Sequence, residues 1–252
     1  MKELKIELSI KLIFIIVSIT VNAQNKTTKI SAGEQKEIPI TIFESGHILI
    51  PVTAIDTVKG NFILDTGGGI EIVSSKFFSR IESESIRVGI FTGFRSNGER
   101  IDLKIYRIPN IKIGAFAKDD VIIGIYPALD EIGIDGLLSS KFFESIPVTI
   151  DFKNKLLTIE SKKTVNKISD SGTIIPLFIQ KHGRIGLDIF IDVNINDSIN
   201  ILSEFDTGHG YYPAWVNSFY KDSLRDENLS ETDTIIVDKL GLKEAENLKI
   251  FF

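Results

Sequence analysis

Two copies of one tripeptide hold the residues best suited to chemistry: Asp65-Thr66-Gly67 and Asp206-Thr207-Gly208, 141 residues apart in a chain of 252. Each sets a carboxylate beside a hydroxyl, followed by a glycine that lets backbone approach the acid closely. Two carboxylates held about 3 Å apart cannot both ionise, so they share one proton. Such a pair can deprotonate a water and protonate a departing group, which hydrolyses an amide without a metal or a covalent nucleophile. It titrates as a unit. A single Asp-Thr-Gly is also an ordinary turn sequence, in which Asp bonds its own backbone and Gly takes positive φ. The repetition separates the two readings.

The same offset pairs Ile48 with Ile189, Ile50 with Ile191, Val52 with Val193 and Asp56 with Asp197. It also pairs Gly69 with Gly210 and Phe78 with Phe219. Matching apolar positions on both sides of the tripeptide point to a duplicated domain, each copy presenting one Asp-Thr-Gly after an apolar strand. Residues 162–172, rich in Ser, Lys and Asp, fall between the copies and read as a linker. Segments 37–43, 47–52, 61–64, 101–108, 111–116, 121–126, 148–152 and 156–159 are short and rich in Ile, Val and Phe. Several alternate apolar with polar residues, the period of half-buried strands. Lys153-Asn154-Lys155 reads as a hairpin turn. Helical pattern is confined to residues 74–81, 138–144, 212–222 and 240–248. A mainly β fold follows.

Residues 62–67, Phe-Ile-Leu-Asp-Thr-Gly, resemble the active-site motif of the pepsin-like and retropepsin-like aspartic peptidases, and the second Asp-Thr-Gly is what a two-lobed member contains. Gly136-Leu137-Leu138, Phe142-Phe143 and residues 148–159 resemble the closing part of such a lobe. There an apolar-apolar-Gly strand crosses beneath the catalytic loop and a terminal hairpin follows. The resemblance covers residues 38–160 fully and 173–225 in part. It implies an acid-protease β-barrel lobe, duplicated, with a first lobe over 38–161 and a partial second lobe over 173–252. It further implies an endopeptidase whose catalytic dyad is Asp65 and Asp206. Thr66, Gly67, Thr207 and Gly208 support the two loops, with the threonine hydroxyls tying them together. A β-hairpin flap folds over substrate, and residues 90–98, with a turn at Ser96-Asn97-Gly98, are its best match. Phe91 or Phe94 is then the aromatic that contacts substrate, unless both simply pack. The substrate is a peptide or protein in the inter-lobe cleft, and no cofactor is needed.

The match has gaps. Gly68 and His209 stand after the two motifs, where the family carries Ser, Thr or Ala. Ser139 stands where a second glycine is common. Only 46 residues follow Asp206, and the chain stops in an apolar run, so a truncated second lobe and weak activity are expected. A rival reading is a non-catalytic peptide-binding or scaffold protein that keeps the fold. Another is a homodimer through the first lobe that pairs two copies of Asp65. Glycosidases also use two carboxylates, but the paired loops argue against one.

Composition excludes much else. With 29 basic and 34 acidic side chains and no basic block, nucleic acid is not expected as a partner. No cysteine means no disulfide, thiol nucleophile or thiolate metal site, and the three histidines are too scattered for a helical metal pair. Gly67-Gly68-Gly69 is no dinucleotide loop, because the last glycine of that pattern falls on Ile72. At the N-terminus Lys2, Lys5 and Lys11 precede an apolar run over 12–21, and Val21-Asn22-Ala23 supplies small residues for cleavage. Residues 1–23 therefore read as a signal peptide, with a periplasmic or secreted product. The apolar run is too short for stable membrane insertion, which takes roughly 20 residues. Since the first lobe contains its own closing segment, limited proteolysis should trim the chain beyond about Lys162 well before it cuts residues 38–160. Equal hydrogen-exchange protection in both halves would contradict this.

Overall fold

The computed structural model describes residues 11–14, 36–95, 98–144, 146–169, 173–195, 199–210, 230–235 and 245–250. The chain is mainly β. In the first lobe β1 (Lys11–Phe14), β2 (Lys36–Pro39), β3 (Thr41–Ile42), β4 (Ile48–Ala54), β5 (Val58–Asp65) and β6 (Glu71–Val73) lead to the short helix α1 (Ser75–Ser79). Then come β7 (Ile86–Phe94), β8 (Arg100–Ile113), β9 (Phe116–Ile125), the one-turn helix α2 (Leu129–Ile132), β10 (Gly136–Ser139), β11 (Val148–Asp151) and β12 (Leu156–Ile159). The helix α3 (Lys162–Ser169) occupies most of the expected linker. The second lobe contains β13 (Phe178–His182), β14 (Gly186–Ile195), β15 (Ile199–Glu204), β16 (Ser230–Ile235) and β17 (Ala245–Ile250).

Alternation along β4 buries Ile48, Ile50, Val52 and Ala54 while their neighbours face outward. Strands run in the order β3-β4-β5-β10-β6-β9-β8-β7, and a further pairing of β4 with β8 closes six of them into a barrel. Its interior holds Phe62, Phe77, Ile108, Phe116, Leu138 and Phe142, all nearly inaccessible to water. Phe62 meets Phe77 edge-on, with ring centroids 5.1 Å apart. α1 follows from its cap: Ser74 accepts the Phe77 N–H, and Phe77 and Phe78 turn into the core. A second sheet, β1-β11-β12-β2, lies at one end. Asn154 in the β11–β12 turn bonds Asp151, and Lys155 takes φ of 53°, as a tight hairpin requires.

Two helical readings fail. Residues 136–139 are a strand, parallel to β5 on one side and antiparallel to β6 on the other. Only Ser140–Phe143 coil, as a single 3-10 turn. The apolar spacing there serves a central strand buried on both faces, a pattern that short-range periodicity does not separate from a helix. Residues 245–250 form a hairpin with 230–235, so the expected helix over 240–248 is strand in its described part. The expected helix over 212–222 lies outside the described residues. Residues 11–14, inside the expected signal peptide, pair with β11.

The second lobe repeats the opening of the first. β13, β14 and β15 form a three-stranded antiparallel meander with Leu187 and Ile189 buried beneath it. Among the described residues no strand crosses behind Asp206 as β10 does behind Asp65. β10 also sets a tight steric constraint in the barrel. A Cβ at Gly136 would lie 2.5 Å from Phe62 Cε2 and 2.6 Å from the Ile72 carbonyl oxygen. Gly136→Ala should therefore destabilise the chain by about 1–3 kcal/mol, read as a lower urea midpoint at unchanged slope.

Candidate active site

The first loop begins where β5 ends. Ser139, the last residue of β10, is in register with Asp65, so the first Asp-Thr-Gly turn rests on a buried strand. Gly68 N–H donates to the Asp65 carbonyl at 3.2 Å, and Ile70 N–H to the Gly68 carbonyl at 2.6 Å, which bends the chain back into β6. The second loop follows β15. Asp206 caps a 3-10 turn, Thr207–His209, by accepting the Gly208 N–H at 2.7 Å. That is the local bond of an Asx turn.

The two loops then hold each other. Thr66 N–H donates to Thr207 Oγ1 at 3.2 Å, and Thr207 N–H donates to Thr66 Oγ1 at 3.0 Å. Each hydroxyl spends its own proton on the strand entering the opposite loop: Thr66 Oγ1 on the Phe205 carbonyl at 2.5 Å, Thr207 Oγ1 on the Leu64 carbonyl at 2.8 Å. Four bonds thus cross between residues far apart in the chain. A third tie runs through the buried Ser140, whose hydroxyl reaches the Leu187 carbonyl at 2.7 Å and the Thr66 carbonyl at 3.3 Å.

This interlock brings Asp65 and Asp206 together, and their carboxyls hydrogen-bond to each other. The glycines permit it. A Cβ at Gly208 would lie 2.5 Å from the Asp65 carboxyl carbon, and one at Gly67 would lie 2.7 Å from that of Asp206. Each motif's glycine therefore passes beside the other motif's acid, where no side chain fits. Burial, the charge of Asp206 and the bond to it hold Asp65 well above the usual carboxylate range; Glu204 adds to the shift and the Gly67 N–H opposes it. Asp65 is half-buried and Asp206 exposed, so one face of the pair is open to a water or a substrate.

The flap candidate is a hairpin of β7 and β8, closed by Arg95 and Glu99, with Gly98 at φ of 80°; residues 96–97 lie outside the described set. Phe91 packs against the cluster of Ile70, Leu103 and Ile105, whereas Phe94 is 71% exposed. A Cβ at position 68 would lie 3.1 Å from Asp65 Oδ2, so Gly68 leaves open the place from which a hydroxyl would reach the acid. His209 sits half-exposed in the 3-10 turn. Ser140, His182, Asp188 and Glu204 were not singled out by sequence, although the offset of 141 pairs apolar Ile63 with Glu204 and His47 with Asp188. That mismatch was the available signal. No group of His, Asp or Glu among the described residues has the arrangement of a metal site.

No protein-family model matches the chain, and no curated protein sequence does. Among solved structures it is similar to a retropepsin-like aspartic protease from Rickettsia conorii, at 16% identity and a TM-score of 0.38, over 51% of this chain and 92% of that one. It is also similar to an aspartic proteinase from Irpex lacteus, at 12% identity and a TM-score of 0.37, over 84% of this chain and 78% of that one. Identities this low transfer no residue roles.

The raised Asp65 has a cost for folding. Its neutral form is favoured in the folded state, so stability is greatest below the ordinary aspartate range and is lost as pH rises towards the raised value. Asp65→Asn should raise Tm at pH 7 by about 2–4 °C, corresponding to ~1 kcal/mol in a chain of this size, and should do nothing near pH 3. Thermal scans across pH check both halves of this expectation.

Proposed function

We propose that the chain is an aspartic endopeptidase that hydrolyses peptide bonds with Asp65, Asp206 and an activated water. The observation that carries this reading is the hydrogen-bonded carboxyl pair at the crossing of two interlocked Asp-Thr-Gly loops. One carboxyl, ionised, takes a proton from water; the other, protonated, polarises the substrate carbonyl, and the shared proton returns to the leaving nitrogen. The burial that raises Asp65 keeps that proton in place. A peptide lies in the cleft between the lobes, with the β7–β8 hairpin as its lid and Phe94 as the aromatic free to meet it.

Export belongs to the same proposal, from the basic and apolar segment over 2–21 and the small residues before position 24. Cleavage there removes β1 and frees the edge of β11, a place where a second copy of the lobe can pair. Among the described residues no helix is long and apolar enough to cross a membrane. A non-catalytic peptide-binding role is the second reading, favoured by one observation: Asp206 is exposed and, among the described residues, has no supporting strand of the kind Asp65 has.

The test is cleavage of an unbiased peptide mixture by the full chain. Asp65→Asn and Asp206→Asn should each lower kcat/KM by at least about a thousandfold with the fold intact. A transition-state mimic with a central hydroxyl should inhibit, and chelators should not. Full activity in Asp65→Asn would sink the assignment; binding of the mimic without cleavage would favour the second reading.

A further inference from the structure

The offset that superimposes the two motifs also exposes where the copies differ in charge. Ile63, buried beside the first loop, has Glu204 as its counterpart, and His47 has Asp188. The correspondence is spatial as well. A Cβ on Gly69 would lie 3.1 Å from Asp188 Oδ1, and one on its counterpart Gly210 would lie 3.0 Å from His47 Cε1. Around the dyad, the first copy offers an imidazole and an apolar side chain where the second offers two carboxylates.

Register puts these carboxylates on one face. Phe190 is opposite Glu204 in the β14–β15 ladder, so Asp188, two residues before it, shares that face and is diagonal to Glu204. Phe205 N–H donates to the Ile189 carbonyl at 2.8 Å, which continues the ladder and sets Asp188 across from Asp206. On β13, His182 is opposite Gly186 and diagonal to Asp188, with Nε2 2.5 Å from Asp188 Oδ2. Leu187 N–H donates to the Gly69 carbonyl at 2.9 Å, pinning this end of β14 to the first catalytic loop. Asp192, the other diagonal neighbour of Glu204, is exposed, and Gln180 opposite Asp188 is neutral.

We propose that Glu204, backed by the Asp188–His182 pair, is a positioning residue that keeps the shared proton on the Asp65–Asp206 dyad at neutral pH. The consequence for rate rests on the peptidase reading; the proton arrangement itself does not. Burial, then the charges of Asp188 and Asp206, push Glu204 up to about 7, although its solvent-facing side lets water screen part of this. Below that point Glu204 is neutral and leaves the dyad alone. Above it, the new negative charge opposes loss of the dyad's remaining proton, so the active form persists to higher pH. His182, when protonated, offsets the charge of Asp188 and limits how much of it reaches Glu204.

The experiment is an NMR titration of the full chain carrying 13C-labelled carboxyl groups, for wild type, Glu204→Gln and Glu204→Asp. In Glu204→Gln the dyad's upper titration step should move to lower pH, and Glu204→Asp should restore it. Asp188→Asn serves as the second variant: with Glu204 retained, the titration of Glu204 itself should move down. On a cleaved peptide, Glu204→Gln should match wild type near about pH 5 and lose severalfold in kcat/KM near about pH 8, whereas a packing defect would lower the whole profile evenly. Superimposable dyad titrations in wild type and Glu204→Gln overturn the inference even if peptides are cleaved. A wild type that neither cleaves peptides nor binds the hydroxyl mimic overturns the peptidase reading, and the titration still decides the role of Glu204.

Discussion

Everything at the candidate site depends on four hydrogen bonds that Thr66 and Thr207 make across the two loops. Each threonine accepts the other's backbone N–H and donates its hydroxyl to the strand entering the other loop. Neither loop satisfies these groups alone, and Thr66 is only 5% exposed, so its polar atoms have little access to water. Leaving one such buried group unpaired costs about 1–3 kcal/mol. The cheapest arrangement is the one that seats the loops together, and seating them forces two carboxyls into contact. The repulsion that follows is contained because the pair holds a proton and because Gly67 and Gly208 leave room for it.

Support for the two acids is unequal. Asp65 stands at the end of β5 with β10 in register beside it and a closed barrel behind. Asp206 stands after β15, which among the described residues is the edge strand of a three-stranded meander, and its loop is bonded across to the first loop. The Ser140 hydroxyl bonded to the Leu187 carbonyl, and the Gly69 carbonyl bonded to the Leu187 N–H, add two further ties from the first lobe to the second. Local stability is therefore expected to grade downward from the barrel towards the second lobe.

The copies also differ electrostatically at equivalent places. A duplicated domain begins symmetric, and a dyad in symmetric surroundings has no preference for either acid. Here Glu204 and Asp188 replace Ile63 and His47, and His182 has joined Asp188. Placing half-buried Asp188 and exposed Glu204 beside a carboxylate pair adds repulsion that protons or counter-charges must offset, and perturbed acids of this kind cluster at functional sites.

The amino-acid sequence alone determined the mainly β character, the repeat at a constant offset and the two Asp-Thr-Gly aspartates as candidates. Period-two alternation, an apolar run before each motif and a constant offset of 141 residues are all local or self-referential signals. The same logic misread residues 138–144, because β10 gains its two neighbours only when β5 and β6 fold around it. It also left Ser140, His182, Asp188 and Glu204 among unremarkable polar residues. Their roles arise from cross-strand register and from contact between lobes, which bring together groups separated by 47 residues in the case of Ser140 and Leu187. Tertiary structure alone decided which glycine passes beside which acid, which phenylalanine of the β7–β8 hairpin is exposed, and on which side of the two aspartates the extra carboxylates stand. Those outcomes depend on distances of a few ångströms between distant segments, and no spacing along a chain encodes them.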